Sequence, residues 1–187
     1  IDALVVTSLK NIRYLTGFTG SYAFLIVEQD NATIVTDPRY DIQVRQQVDC
    51  RTKVSPKPIP TLETLLQKLA VRNLGIEAAH LTVHDFNRYR AALPKTTRLV
   101  STAGLVETLR SVKSPEEIDV IRRAVNLNSQ AYANAVARVK PGITEQDVAA
   151  EIDHQMRLLG AEGPAFETIV ASGPNTALPH ARPSAKP

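Results

Sequence analysis

Tryptophan is absent from the 187 residues, cysteine and methionine occur once each, and aromatic residues make up only 5%. Large aromatic platforms on which bases could stack are therefore scarce. Nor is there a basic stripe: 22 basic residues against 19 acidic ones leave a net charge of +3, and no Lys/Arg run is longer than Arg122-Arg123. The pI of about 9.1 then reports a slight surplus spread over a mixed, solvated surface, and nucleic acid is not an expected partner. A lone Cys50 can make neither an intrachain disulfide nor a thiolate metal cluster, which fits a reducing compartment and a cytoplasmic location. No apolar stretch approaches the roughly 20 residues that span a bilayer, so no membrane partner is expected. The start Ile1-Asp2-Ala3-Leu4 lacks an initiator Met and a basic leader, and Pro183 to Pro187 has no terminating element. Both ends are expected to be cut from a longer product.

Familiar catalytic signatures are missing as well. A serine hydrolase of the nucleophile-elbow type needs G-x-S-x-G, and Ser172-Gly173 has the wrong flanks. Thr16 to Gly20 (TGFTG) has two glycines but no Lys in the P-loop position, and reads as a turn between strands. His80 and His84 are spaced to share a metal on a helix face, yet Thr82 between them is a helix cap that puts His80 outside, and no H-E-x-x-H follows. Surface or capping roles account for both. His154, near Glu151 and Asp153, reads as part of a solvated helix face. Cys50 beside Arg51 has no partner that the sequence identifies.

What is present is an aliphatic core supply, with 43% hydrophobic residues, enough for an ordinary globular fold. β-Branched runs at Ala3 to Thr7, Ala23 to Val27 and Ala32 to Thr36 predict strands, the last two joined as a hairpin through Glu28 to Asn31. After Pro60, Thr61 is placed to cap a helix carrying Leu62, Leu65, Leu66 and Leu69 on one face. Leu74 to Glu77 returns to strand, Val83 to Leu93 reads as a helix capped by Thr82, and Arg98 to Val100 as another strand. Alternation of this kind predicts an α/β layer. From about residue 111 helices take over. Ser114-Pro115-Glu116-Glu117 combines an N-cap Ser, Pro at the first helical position and Glu at the third. Its apolar series continues to Val139, where Pro141-Gly142 stops it. Thr144 with Asp147 starts a further helix whose Val148, Ile152, Met156 and Leu159 form the expected buried stripe before Gly160. Phe166 to Ala171 is expected to be extended, followed by a turn at Ser172 to Asn175.

His180 stands apart from the other three histidines. Pro179 and Pro183 bias Leu178 and Arg182 to extended backbone and supply no amide donors, so His180 belongs to an edge strand or loop held more rigidly than a surface loop requires. It is the one candidate catalytic residue, with satisfaction by backbone carbonyls as the alternative.

Several segments together resemble a known family. Asn11 to Ser21 (NIRYLTGFTGS) and Thr36 to Tyr40 (TDPRY) resemble the N-terminal domain of Xaa-Pro peptidases and creatinase. Arg110 to Ile118 (RSVKSPEEI) resembles the opening of their catalytic domain, and Glu162 to Pro183 (EGPAFETIVASGPNTALPHARP) the stretch leading to the first active-site histidine. The resemblance implies a creatinase-type α/β N-terminal domain, a mixed sheet with flanking helices, over residues 1–110. Residues 111–187 would begin an α+β pita-bread metallopeptidase domain. It further implies a hydrolase that cleaves the peptide bond before proline with two divalent ions, manganese by expectation, held by two Asp, one His and two Glu. None of those ligands lies in the matched positions, so Asp147 and Asp153 are not promoted into their roles, and this stretch alone is expected to be inactive. His180 matches the active-site histidine that is not a ligand, which hydrogen-bonds substrate and helps carry charge or protons. A proline-containing peptide is the implied substrate and a homodimer the implied assembly. Tyr14 to Ser21 and Asp37 to Tyr40 serve as dimer contacts, as the active-site rim or as tight turns. The competing readings are a creatinase-type amidinohydrolase and a pita-bread binding or assembly module without catalysis.

Overall fold

β-Branched and aliphatic runs that alternate with helical spacings give, in the computed structural model, an α/β layer followed by a helical pair. All residues, 1–187, are described. The chain divides into two compact units, Ile1–Val112 and Lys113–Pro187.

In the first unit the order is β1 (Ala3–Val6), α1 (Leu9–Thr16), β2 (Ala23–Glu28), β3 (Ala32–Thr36), α2 (Asp41–Gln47), β4 (Arg51–Val54), α3 (Pro58–Lys68), β5 (Asn73–Glu77), α4 (Val83–Ala92), β6 (Arg98–Thr102) and α5 (Leu105–Ser111). The strands form one six-stranded sheet in the order β4-β3-β2-β1-β5-β6. β1 runs antiparallel to β2 and parallel to β5, with Ala3 opposite both Glu28 and Leu74. The hairpin predicted between β2 and β3 is present, and β3–β4 and β5–β6 are parallel pairs. Period-two alternation sorts neighbouring residues onto opposite faces. Val5, Ile26 and Leu74 pack with Leu62 and Leu66 of α3 and Tyr89 of α4. Val6, Leu25 and Ile34 pack with Ile12 of α1 and Val44 of α2. A central strand covered on both faces must be apolar at successive positions, which is why β1 and β2 read as unbroken hydrophobic runs. Each fully buried leucine on α3 contributes about 1.5–3 kcal/mol of burial free energy.

Two segments of this unit depart from the expectation. The segment from Asn11 to Thr16 is helical, so the TGFTG stretch joins a helix to a strand and not two strands. Gly17 closes α1 in the left-handed region at φ 77°, its amide bonded to the Arg13 carbonyl. A side chain at Gly20 would run into Phe18 and Tyr40, whose rings meet edge to face at 5.7 Å. α3 begins at Pro58, not after Pro60, because two prolines fit its amide-free first turn. Thr61 then lies inside the helix, and its hydroxyl bonds Ser55 and the Lys57 carbonyl instead of capping.

In the second unit α6 (Pro115–Val136) and α7 (Glu145–Leu158) pack side by side. Each starts with a reciprocal capping box, Ser114 with Glu117 and Thr144 with Asp147, as the spacing predicts. The stripe expected to be buried on α7 is only half-buried; the buried positions are Glu145, Ala149 and Gln155 on α7, with Ala131 and Ala135 on α6. Small residues let the two backbones approach, and Gln155 satisfies its polar group through Asn134 at 3.1 Å and Glu151 at 2.7 Å. Phe166 to Ala171 does not form a strand, since no neighbouring strand offers it a ladder of hydrogen bonds.

Candidate functional site

His180 lies in a turn that follows a short 3-10 segment, Gly173–Ala177, and its imidazole is exposed. It borders an open groove of about 650 Å³ whose walls include Phe166, Ile169, Pro179, Arg182 and Pro183. Apart from Ala181, 5% exposed, the residues next to it are not buried, so packing alone does little to fix this turn.

Polar contacts do more. Glu145, the first residue of α7, is 3% exposed and turns its carboxylate into the base of the loop. One oxygen accepts from the Ser172 amide at 2.6 Å, the Ser172 hydroxyl at 3.0 Å and Asn175 Nδ2 at 3.1 Å. The other accepts from the Ser184 amide at 3.0 Å, the Ser184 hydroxyl at 2.7 Å and Asn175 Nδ2 at 3.2 Å. The Ser184 hydroxyl is the foremost cause, followed by the Ser172 and Ser184 amides and Asn175, that holds this carboxyl at about 2 against the opposing effect of burial. The backbone closes the same ring: Glu145 N–H donates to the Lys186 carbonyl at 2.9 Å and Gln146 N–H to the Ser184 carbonyl at 3.1 Å. Lys186 Nζ adds a bond to the Ser172 carbonyl at 2.8 Å. The loop from Ser172 to Lys186 is thus tied at both stems to the first turn of α7, with His180 at its far side.

The other carboxylates of α7 are engaged in structure. Asp147 serves the cap, its carboxyl held low by the Thr144 hydroxyl and amide. Glu151 takes Arg138 at 2.6 Å, and Asp153 accepts from the Thr168 hydroxyl. His80 contacts Glu107 at 3.2 Å in the first unit, while His84 and His154 are exposed, so the structure does not bring the histidines together. No three His, Cys, Asp or Glu side chains converge to hold a metal ion. The residues of this chain therefore do not fit a divalent-metal centre by themselves. Glu145 was not among the residues singled out in the sequence, because an acid in the first turn of a capped helix is adequately explained by the helix dipole.

Residues 1–112 match the Creatinase/Prolidase N-terminal domain. The chain belongs to this family. Residues 119–187 of this creatinase/prolidase chain match Metallopeptidase family M24. Over 182 residues it is 36% identical to an uncharacterized peptidase, YqhT, of Bacillus subtilis, covering 96% of this chain and 51% of that protein. An Xaa-Pro dipeptidase of Pyrococcus furiosus is 29% identical over 185 residues, covering 96% of this chain and 51% of the relative. Among solved structures, the X-Pro aminopeptidase of Thermotoga maritima superposes with a TM-score of 0.91 at 30% identity, covering 100% of this chain and 55% of that one. The creatinase/prolidase chain thus spans about half the length of the curated relatives it matches. Its mixed α/β sheet and helical pair are those of the creatinase-type N-terminal domain and the start of the M24 domain, as the motifs imply.

Proposed function

We propose that this chain is the amino-terminal half of a metal-dependent Xaa-Pro aminopeptidase or dipeptidase, with residues 1–110 as its creatinase-like domain and 111–187 as the start of its pita-bread catalytic domain. The observation that carries the reading is that both halves of the chain match successive domains of one peptidase family, in the family's order. The relatives' names supply the substrate class, a peptide with proline after the scissile bond. His180 is the one catalytic residue proposed from this chain. An imidazole on a tethered loop can donate a hydrogen bond to a developing oxyanion or pass a proton to the departing prolyl nitrogen. The two divalent ions of the proposal, manganese by expectation, would require ligands from beyond residue 187, and no step through them is derived from the residues present. A homodimeric, cytoplasmic enzyme belongs to the same proposal.

The test compares the full-length protein with residues 1–187, each assayed against Xaa-Pro dipeptides and longer peptides with and without manganese. Expected are hydrolysis by the full-length protein that a chelator abolishes, and neither hydrolysis nor stoichiometric manganese binding by residues 1–187. Turnover of creatine in place of peptides would replace the reading with an amidinohydrolase. Inactivity of the metal-loaded full-length protein on both would favour a binding module. Light scattering that shows only a monomer would remove the dimer.

A further inference from the structure

The bonds at Glu145 gather at one point both ends of the loop that carries His180. Ser172 and Asn175 precede the histidine, Ser184 and Lys186 follow it, and all four are held by residue 145 through its carboxylate or its backbone amide. Gln146 N–H on the Ser184 carbonyl, Lys186 Nζ on the Ser172 carbonyl and the burial of Ala181 add to these ties, while the tip is loosely packed, with Leu178 59% exposed and Pro179 and His180 also on the surface. The anchor itself is rigid: it opens a helix fixed by the Thr144–Asp147 capping box and packed on α6. Residue 145 lies far from His180 in sequence and makes no contact with it, so its influence has to pass through the loop stems.

We propose that Glu145 is a positioning residue that sets where His180 stands by clamping both stems of the Ser172–Lys186 loop. This rests on the reading of His180 as a catalytic residue of an Xaa-Pro peptidase. An ionised carboxylate suits the clamp because the Ser172 amide on one oxygen, the Ser184 amide on the other and the Asn175 NH2 on both can only donate. A glutamine there keeps the shape, yet its amide nitrogen would face the donors of either Ser172 or Ser184, and one stem would come loose.

The experiment is a double-mutant cycle in the full-length, metal-loaded enzyme with Glu145→Gln, His180→Ala and the pair, alongside hydrogen exchange of residues 172–186. Misplacing a catalytic group by about 1 Å costs on the order of 10²-fold. Glu145→Gln is therefore expected to lower kcat roughly 10- to 100-fold with KM changed far less, and to add little to His180→Ala, because both remove the same contribution. Exchange should rise in residues 172–186 while that of α6 stays native. Multiplicative losses in the pair, an unchanged kcat in Glu145→Gln, or unchanged exchange in the loop would each overturn the clamp. Should Glu145→Gln fail to fold, Ser184→Ala removes a single hydroxyl donor and must give a smaller loss that is likewise absent in the His180→Ala background; full additivity there overturns the proposal. A fully active His180→Ala would instead sink the reading of His180, and the positioning role with it, which separates that failure from a failure of the clamp alone.

Discussion

Replacing Glu77 by glutamine should destabilise the first unit far more than the same change at Glu107, although both carboxylates bond the same Asn11. Glu77 ends β5 and is 6% exposed. One of its oxygens takes the Thr7 amide at 2.5 Å, the Ser8 amide at 2.8 Å and the Thr7 hydroxyl at 3.2 Å, and the other takes Asn11 Nδ2 at 2.6 Å. A glutamine can keep its oxygen toward Thr7 and Ser8 only by aiming its NH2 at the Asn11 NH2. Asn11 cannot simply flip to accept, because its Nδ2 also donates to Glu107 at 2.7 Å and its Oδ1 accepts from Arg110 at 2.8 Å. One charge-assisted bond, worth about 1.5–3 kcal/mol, is lost and the others are weakened, so the expected cost is about 2–4 kcal/mol. Glu107 is 40% exposed and water can replace it, so Glu107→Gln should cost under about 1 kcal/mol. Urea unfolding followed by tyrosine fluorescence reports mainly on this unit, since Tyr14, Tyr22, Tyr40 and Tyr89 all lie in it. The reasoning fails if Glu77→Gln stays within about 0.5 kcal/mol of the parent, the range of ordinary surface changes, or if the two variants are equally destabilised.

In the core, Leu66→Ala on α3, fully buried, should cost about 2–5 kcal/mol in the same denaturation assay, whereas Val83→Ala, 78% exposed, should fall within about 0.5 kcal/mol. Ser114→Ala removes the acceptor for the Glu117 amide and should shift α6 by about 0.5–2 kcal/mol, visible as faster exchange in its first turn only. Acid should unlock the second unit in a defined window. A Glu145 carboxyl lowered from 4.5 to about 2 adds stability that is complete above pH 4.5 and is lost as pH falls toward 2. Between those values unfolding takes up close to one proton at this site, so the urea midpoint of Glu145→Gln should fall less steeply with acid; equal slopes would show that the carboxylate does not stay ionised there.

Local rules found the elements whose signals are local. Thr82, Ser114 and Thr144 each accept the amide three residues on, so the starts of α4, α6 and α7 were legible from composition alone. The β2–β3 hairpin was legible for the same reason, with a polar turn between two β-branched, apolar runs. α1 was not, because its Ser8 cap makes no side-chain bond and the amides at that end are served by Glu77, far along the chain. β4 escaped because Arg51 and Lys53 point outward on an edge strand and break the hydrophobic pattern. α5 opens on Gly104 at φ 71° with no side-chain cap. The candidate site divides the same way. His180 stood out through its flanking prolines and motif, while the role of Glu145 depends on donors at Ser172, Asn175 and Ser184, which nothing within one helical turn announces.

The place of β1 at the centre of the sheet has a consequence for synthesis. Its antiparallel partner β2 follows closely, but its parallel neighbour β5 pairs Ala3 with Leu74, so that side of β1 waits for most of the unit to be made. At roughly 5–20 residues per second the wait is several seconds. During it a β1-β2-β3 meander can gather α1 and α2 against Val6, Leu25 and Ile34, while Val5 and Ile26 on the opposite face have no cover until Leu62 and Leu66 emerge. A nascent chain that has emerged as far as about residue 55 would therefore present an unpaired strand edge and a bare apolar face together, a surface suited to capture by a chaperone at the ribosome.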